Sequence, residues 1–255
     1  MKSILSRALL GTFVLFNALN GAPDYDRILD KLNRALIAEE PTQSQPPPVL
    51  LQSESPTPPR PAPKEYSPVD FSNLYGMQGF SKALLDQHFK LYRGYVNNVN
   101  LLQNQLHTLV EQKKERSTEF ADLKRHFGWE FDGMRLHELY FENLGGNGQL
   151  PTSGALKTAI EEQFGSLEAW KEAFIATGMM RGIGWVILYA DVERGRLFNA
   201  WIDEHAEGHL ATAKPLIVMD VWEHAYITEY GLNREGYIEA FFKNLDWNSV
   251  EKRFH

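Results

Sequence analysis

Residues 184–226 read GWVILYADVERGRLFNAWIDEHAEGHLATAKPLIVMDVWEHAY, and three short runs inside them decide the fold. Gly184–Ala190, Leu197–Ile202 and Leu216–Val221 are rich in β-branched and aromatic residues, which suit strands better than helices. Glu193-Arg194-Gly195 turns the first into the second, so these two read as an antiparallel hairpin with the last run as a third strand. The surroundings read as helix. Leu84, Leu85, Leu91, Tyr92, Val96, Val99, Leu102, Leu106 and Leu109 mark one long amphipathic helix from Ser81 to about Gln112. A second is expected from about Phe131 to Leu144, stopped by Gly145-Gly146-Asn147-Gly148. Beyond Pro151, a helix over Ala155–Phe164 stops at Gly165, and Ser166 caps another through Trp170 and Phe174. Helix resumes from about Glu223 and again over Arg234–Phe242. The expected fold is α+β, an N-terminal antiparallel hairpin of long helices followed by an α/β domain with a three-stranded antiparallel sheet.

This folded part starts near Tyr66 and divides into a helical-hairpin domain, residues 66–148, and a C-terminal α+β domain, residues 149–255. Nine of the 13 prolines fall between Pro41 and Pro63, so residues 23–65 read as a short helix followed by a proline-rich tether unable to form a core. The short helix is carried by Ile28, Leu29, Leu32, Leu36 and Ile37. Residues 1–22 combine Lys2 and Arg7 with an apolar run, Ala8–Leu19, too short to span a bilayer comfortably. They read as a signal peptide or membrane anchor, the bland reading being an ordinary apolar helix. Export or envelope association through the N-terminus is the expectation, and a cytoplasmic location if this segment is no signal.

The chain has 255 residues and a formal charge of −7, with no basic footprint for nucleic acid. Cysteine is absent, which excludes a disulfide framework, a thiolate zinc site and an iron–sulfur cluster. A metal would have to be held by imidazole and carboxylate, which suits iron, manganese or zinc.

Asp220 and His224 are four residues apart at the end of the third strand and can turn toward one point. By itself that spacing fits a surface pair as well as a metal site. His88 and His137 each lie on the apolar stripe of a long helix, where an unpaired polar ring costs free energy. A backbone carbonyl could satisfy either ring singly; one buried metal ion would satisfy all four groups together and leave positions open for solvent and substrate.

Asp220-Val221-Trp222-Glu223-His224-Ala225-Tyr226, followed by Tyr230, Arg234, Gly236-Tyr237-Ile238, Phe241 and Asn244-Leu245-Asp246-Trp247, resembles the C-terminal signature of the iron/manganese superoxide dismutases. Gly182-Ile183-Gly184-Trp185 is similar to that family's Gly-x-Gly-Trp element, and Tyr95-Val96-Asn97-Asn98-Val99-Asn100 to its Tyr-Val-x-x-x-Asn element. The resemblance covers about residues 66–255. It implies one iron or manganese ion per subunit, ligated by His88, His137, Asp220 and His224, superoxide as substrate, ping-pong disproportionation and a homodimer. Tyr95 would be the gateway tyrosine that relays protons; Trp185, Trp222, Tyr140 and Phe141 would wall the metal. Glu223 would bond a ligand histidine of the partner subunit, and Arg234 would supply positive charge at the mouth, with Arg93 a weaker choice. A non-catalytic descendant that keeps the metal as a staple and binds at the envelope is the alternative, and a zinc hydrolase a weaker third.

Departures from the family pattern fall at four places. His88 and Tyr95 are seven residues apart where the family commonly has one more; at about 100° per residue a regular helix still keeps both on one face. Leu91, Tyr92 and Arg93 stand where the family has a His-His pair, and Ile227 where it has a second tyrosine, which puts the usual interface relay in doubt. Gly133 occupies the place of a glutamine four residues before the second ligand, leaving His205, fifteen before Asp220, to bond metal-bound solvent. Glycine with histidine does not separate iron from manganese.

Overall fold

The computed structural model describes residue 31 and residues 60–254. The leader, the short helix after it apart from Lys31, and most of the tether lie outside the described residues. The chain divides into two compact units, residues 1–57 and 58–255, and the second holds everything below. The expected division at 148/149 falls within this single unit, in the loop between its second and third helices.

Helix α1, Lys82–Glu111, starts where the Ser81 side chain accepts from Leu84 N–H. It is a regular α-helix throughout, so His88 and Tyr95 share its buried face as the seven-residue spacing requires. Helix α2 runs Thr118–Glu142, capped by Ser117, and begins thirteen residues before the expected Phe131. Its first three turns bury little: Phe120, Leu123 and Phe127 are only half-buried, so the apolar stripe there is weak. Helices α3, Ala155–Phe164, and α4, Leu167–Gly178, meet at Gly165 and Ser166 as the sequence indicates.

Strands β1, Gly184–Asp191, β2, Arg196–Asp203, and β3, Lys214–Asp220, form one antiparallel sheet in the order β2-β1-β3. Gly184 pairs with Asp203, and an added Cβ there would collide with the Ile202 carbonyl oxygen, so only glycine fits this start of β1. Trp185 pairs with Asp220. One end of the sheet therefore presents Trp185, Asp220 and, two residues past β2, His205.

The helix expected from Glu223 is instead a 3-10 turn over Glu223–Ala225 followed by a single turn, α5, Ile227–Tyr230. Tyr226, at φ −144°, breaks the two apart. Helix α6 covers Arg234–Lys243, and α7, Trp247–Phe254, closes the chain. Arg253 of α7 donates to the Leu216 and Leu139 carbonyls and to Glu142, tying β3 to α2.

Candidate metal centre

Four elements deliver the four suspected ligands to one point. His88 comes from α1, His137 from α2, Asp220 from the last position of β3, and His224 from the 3-10 turn. Their donor atoms all lie within 4.8 Å of one another. Nε2 of His88 and of His224 is 3.1 Å from Asp220 Oδ2, and Nε2 of His137 is 3.7 Å away. His88, His137 and Asp220 are buried, whereas the His224 side chain is 26% exposed at the rim.

The tautomer of His137 tests whether these residues fit a cation. Its Nδ1–H donates to the Gly133 carbonyl at 2.5 Å, one turn back along α2. The neutral ring's Nε2 therefore carries a lone pair, and that atom is buried with no hydrogen-bond partner among the described residues. A buried orphan costs about 1–3 kcal/mol. Burial pushes both His88 and His137 below the usual histidine range, so these rings face the centre as neutral donors. Burial alone would raise the Asp220 carboxyl, but its interactions with His224 and its hydrogen bond with His88 hold it well below the usual range. Three imidazoles and a carboxylate suit iron, manganese or zinc.

Asp220 is fixed from both ends. Trp222 N–H donates to Oδ1 at 2.8 Å, leaving Oδ2 to the imidazoles, and the Tyr237 hydroxyl donates to the Asp220 carbonyl at 2.6 Å. Tyr140 and Phe141 pack against His88 at 5.3 and 4.9 Å, Trp185 stands edge-on to His137 at 5.0 Å, and Trp222 stacks on His224 at 5.7 Å. All four aromatic rings lie against imidazoles of the cluster.

His205 lies beside this cluster. Trp185 Nε1–H donates to its Nδ1 at 3.0 Å, and burial lowers its pKa to about 4. The neutral ring must then carry its proton on Nε2, which donates to the Tyr95 hydroxyl oxygen at 2.7 Å. The Tyr95 ring stacks 5.1 Å from His137 and presses on Gly133, where an added Cβ would lie 2.7 Å from ring carbons. Gly133 thus makes room for Tyr95 as well as orienting His137. Glu223 is exposed at the start of its turn. Arg234 donates to the carbonyls of Gly178, Met180 and Gly182 and to the Tyr226 hydroxyl, bracing the loop that leads into β1.

Several participants escape the sequence reading. Trp129 covers Tyr95 and His205 at 5.7 and 4.6 Å, and its Nε1–H reaches Glu204. Its four-residue steps to Gly133 and His137 were the available signal. Tyr92 donates to buried Glu138 at 2.8 Å and accepts from Val69 N–H, so it is a strut behind His137.

Residues 152–253 match the family described as iron/manganese superoxide dismutases, C-terminal domain. The iron superoxide dismutase of Cupriavidus metallidurans is 38% identical over 183 residues, which span 70% of this chain and 90% of that protein. An iron superoxide dismutase of Aquifex pyrophilus is 37% identical over 192 residues, 73% and 90% of the two chains. A manganese superoxide dismutase of Haloferax volcanii is 35% identical over 176 residues, 68% and 85%. Identity at this level, running through nearly the whole of relatives named for either metal, means that the chain belongs to the iron/manganese superoxide dismutase family.

Proposed function

We infer that the protein disproportionates superoxide, converting two superoxide anions and two protons to dioxygen and hydrogen peroxide at one iron or manganese ion per subunit. The observation that carries this is the convergence of His88, His137, Asp220 and His224 around the unpartnered Nε2 of His137, in a chain of this family. An iron or manganese ion held there supplies one-electron redox chemistry between its trivalent and divalent states, which lets two like-charged anions react in turn.

The chain's own groups do the rest. Three imidazoles and one carboxylate make up the donor set, and Asp220 is held in position by Trp222 N–H and Tyr237. The aromatic wall keeps bulk water from the donors. His205 donates to Tyr95, so the phenol's own proton points away from His205 and is available at the mouth, where peroxide formation consumes protons. Burial, ahead of the negative charges of Asp220 and Glu130, holds the phenol above its ordinary range, which keeps it protonated.

The same reading takes the protein as a homodimer, with exposed Glu223 reaching a ligand histidine across the interface, and as an exported or envelope-associated enzyme on the strength of its N-terminal pattern. A non-catalytic descendant would have no use for the Tyr95–His205 bond, and no observation favours it or a zinc hydrolase. Purified protein assayed for metal and superoxide removal tests the function: full iron or manganese occupancy without activity would overturn it. Tyr95→Phe and His205→Ala should both lower the activity. Sedimentation tests the dimer, and cell fractionation with N-terminal sequencing tests export.

A further inference from the structure

Glu130 on α2 is 4% exposed and takes no part in the centre. Asn98 Nδ2 donates to its Oε1 at 3.1 Å, and His126 Nε2 lies 3.0 Å from the same oxygen. Its Oε2 is buried without a hydrogen-bond partner among the described residues. Carboxylates are almost never this buried unless paired, and an ordinary ion pair along a helix leaves both groups in solvent. Here only one is: the His126 side chain is 53% exposed, with its ring stacked on Trp129 at 5.7 Å. Arg125 and Asp122 pair with each other on the same helix, and Glu204 is engaged by Trp129, so the charged groups around His126 have partners of their own.

The position of the pair points inward. Asn98 is one turn beyond Tyr95 on α1, and Gly133, against which the Tyr95 ring packs, is one turn beyond Glu130 on α2. Carboxyl and phenol therefore occupy adjoining turns of the same two packed helices, beneath Trp129. The Tyr95 oxygen already accepts from His205, so a proton lost from its hydroxyl has to be replaced from another side. The side chains of the family's usual interface relay are missing from the sequence, Leu91, Tyr92 and Arg93 standing where it has a His-His pair and Ile227 where it has a second tyrosine.

We propose that His126 and Glu130 form a relay that carries protons from bulk solvent to the Tyr95 hydroxyl. A proton adds to Nδ1 of His126, and Nε2 passes its own to Oε1 of Glu130. The carboxyl rotates and releases it, from the side that lacks a protein partner, through a bridging water to Tyr95. Solvent exchange at the exposed imidazole restores the starting tautomer. One proton enters for each delivered, and no electron moves. Glu130 and His126 act through Tyr95, so the proposal rests on Tyr95 being the proton donor at the mouth.

The test uses the full chain purified without metal and labelled at tyrosine Cζ, with hydroxyl exchange read from the isotope splitting of the Tyr95 signal in mixed light and heavy water. Tyr95→Phe assigns the signal. Glu130→Gln and His126→Gln should each slow exchange roughly tenfold or more. Added imidazole should restore it in His126→Gln and not in Glu130→Gln. In the metal-loaded enzyme both variants should keep their metal and lose turnover. Wild-type exchange of the Tyr95 hydroxyl in His126→Gln overturns the relay, and this exposed variant decides the matter even if Glu130→Gln fails to fold. Slowed exchange together with full activity of loaded Tyr95→Phe upholds the relay and overturns only the role given to Tyr95.

Discussion

Adding one methyl group at Gly133 tests how tightly the Tyr95 ring is held. An alanine Cβ there would sit 2.7 Å from Cδ1 and Cε1 of Tyr95, whereas carbon atoms pack best at about 3.5–4.0 Å, so the ring must yield by roughly 0.8 Å. It has little space to do so: His137 stacks at 5.1 Å, Trp129 stands at 5.7 Å, and the hydroxyl is bonded to His205 at 2.7 Å. A displacement of that size along the bond would stretch it to about 3.5 Å, past the ordinary hydrogen-bond range. Overpacking of this kind costs about 1–3 kcal/mol, while replacing a helical glycine by alanine gains about 1 kcal/mol. Gly128, on the same helix, supplies the control, since a methyl group added there would meet no atom within 4 Å. Gly128→Ala should gain about 1 kcal/mol in denaturant unfolding, and Gly133→Ala should fall below it by about 1–3 kcal/mol. In a Tyr95→Ala background the deficit of Gly133→Ala should vanish. Misplacement of a group by about 1 Å can cost on the order of 100-fold in rate, and Gly133→Ala should lose superoxide turnover accordingly. Equal stabilisation by the two alanines, with activity retained, would refute the claim that Gly133 exists to seat Tyr95.

Tyr237→Phe removes the donor to the Asp220 carbonyl from a fully buried site and should cost about 1–3 kcal/mol in equilibrium unfolding. No loss would mean that the carbonyl finds another donor. Stripping the metal should lower the melting temperature, since a ligand bound only by the folded state at about 1,000 times its dissociation constant adds roughly 4 kcal/mol; identical melting of loaded and stripped protein would count against a buried centre. His205 titrates near 4 when folded and near the ordinary histidine value when unfolded, so the unfolded chain binds the proton first. The metal-free protein should therefore keep this contribution above about pH 6.5 and lose about 3 kcal/mol as the pH falls to about 4. His205→Gln should flatten that part of the stability profile.

The strands and the four convergent donors were legible because burial leaves simple marks. Val186, Ile187 and Leu188, or Ile217 and Val218, are apolar on both faces and can only be interior strands. His88 and His137 interrupt otherwise apolar stripes, and a polar ring in such a place asks for a partner. Where burial is partial the marks fade. The first turns of α2 carry only half-buried Phe120, Leu123 and Phe127 between charges, so their periodicity does not stand out. The stretch after Glu223 has helical composition, yet the bond from Trp222 N–H to Asp220 and the break at Tyr226 confine it to two short turns. Glu130, Asn98, Glu138 and Tyr92 look like ordinary surface or core residues in sequence, since only the crossing of α1 and α2 brings each to its partner.

Gly133 and His205 are best understood as one arrangement. A side chain at 133 would occupy the space the Tyr95 ring now fills, so a hydrogen-bonding group for the phenol cannot come from α2 at that position. It comes instead from just beyond β2, where Trp185 of β1 anchors the far nitrogen of His205. The same end of the sheet carries Asp220, paired with Trp185 across the β1–β3 ladder. Sheet-borne Asp220 and His205 therefore meet helix-borne His88, His137 and Tyr95, and the Tyr95–His205 bond is a strut between the two sets. Placing a glutamine at 133 while truncating His205 would leave Trp185 Nε1–H without its acceptor and the Tyr95 ring without its seat, so the two positions cannot be exchanged without rebuilding both.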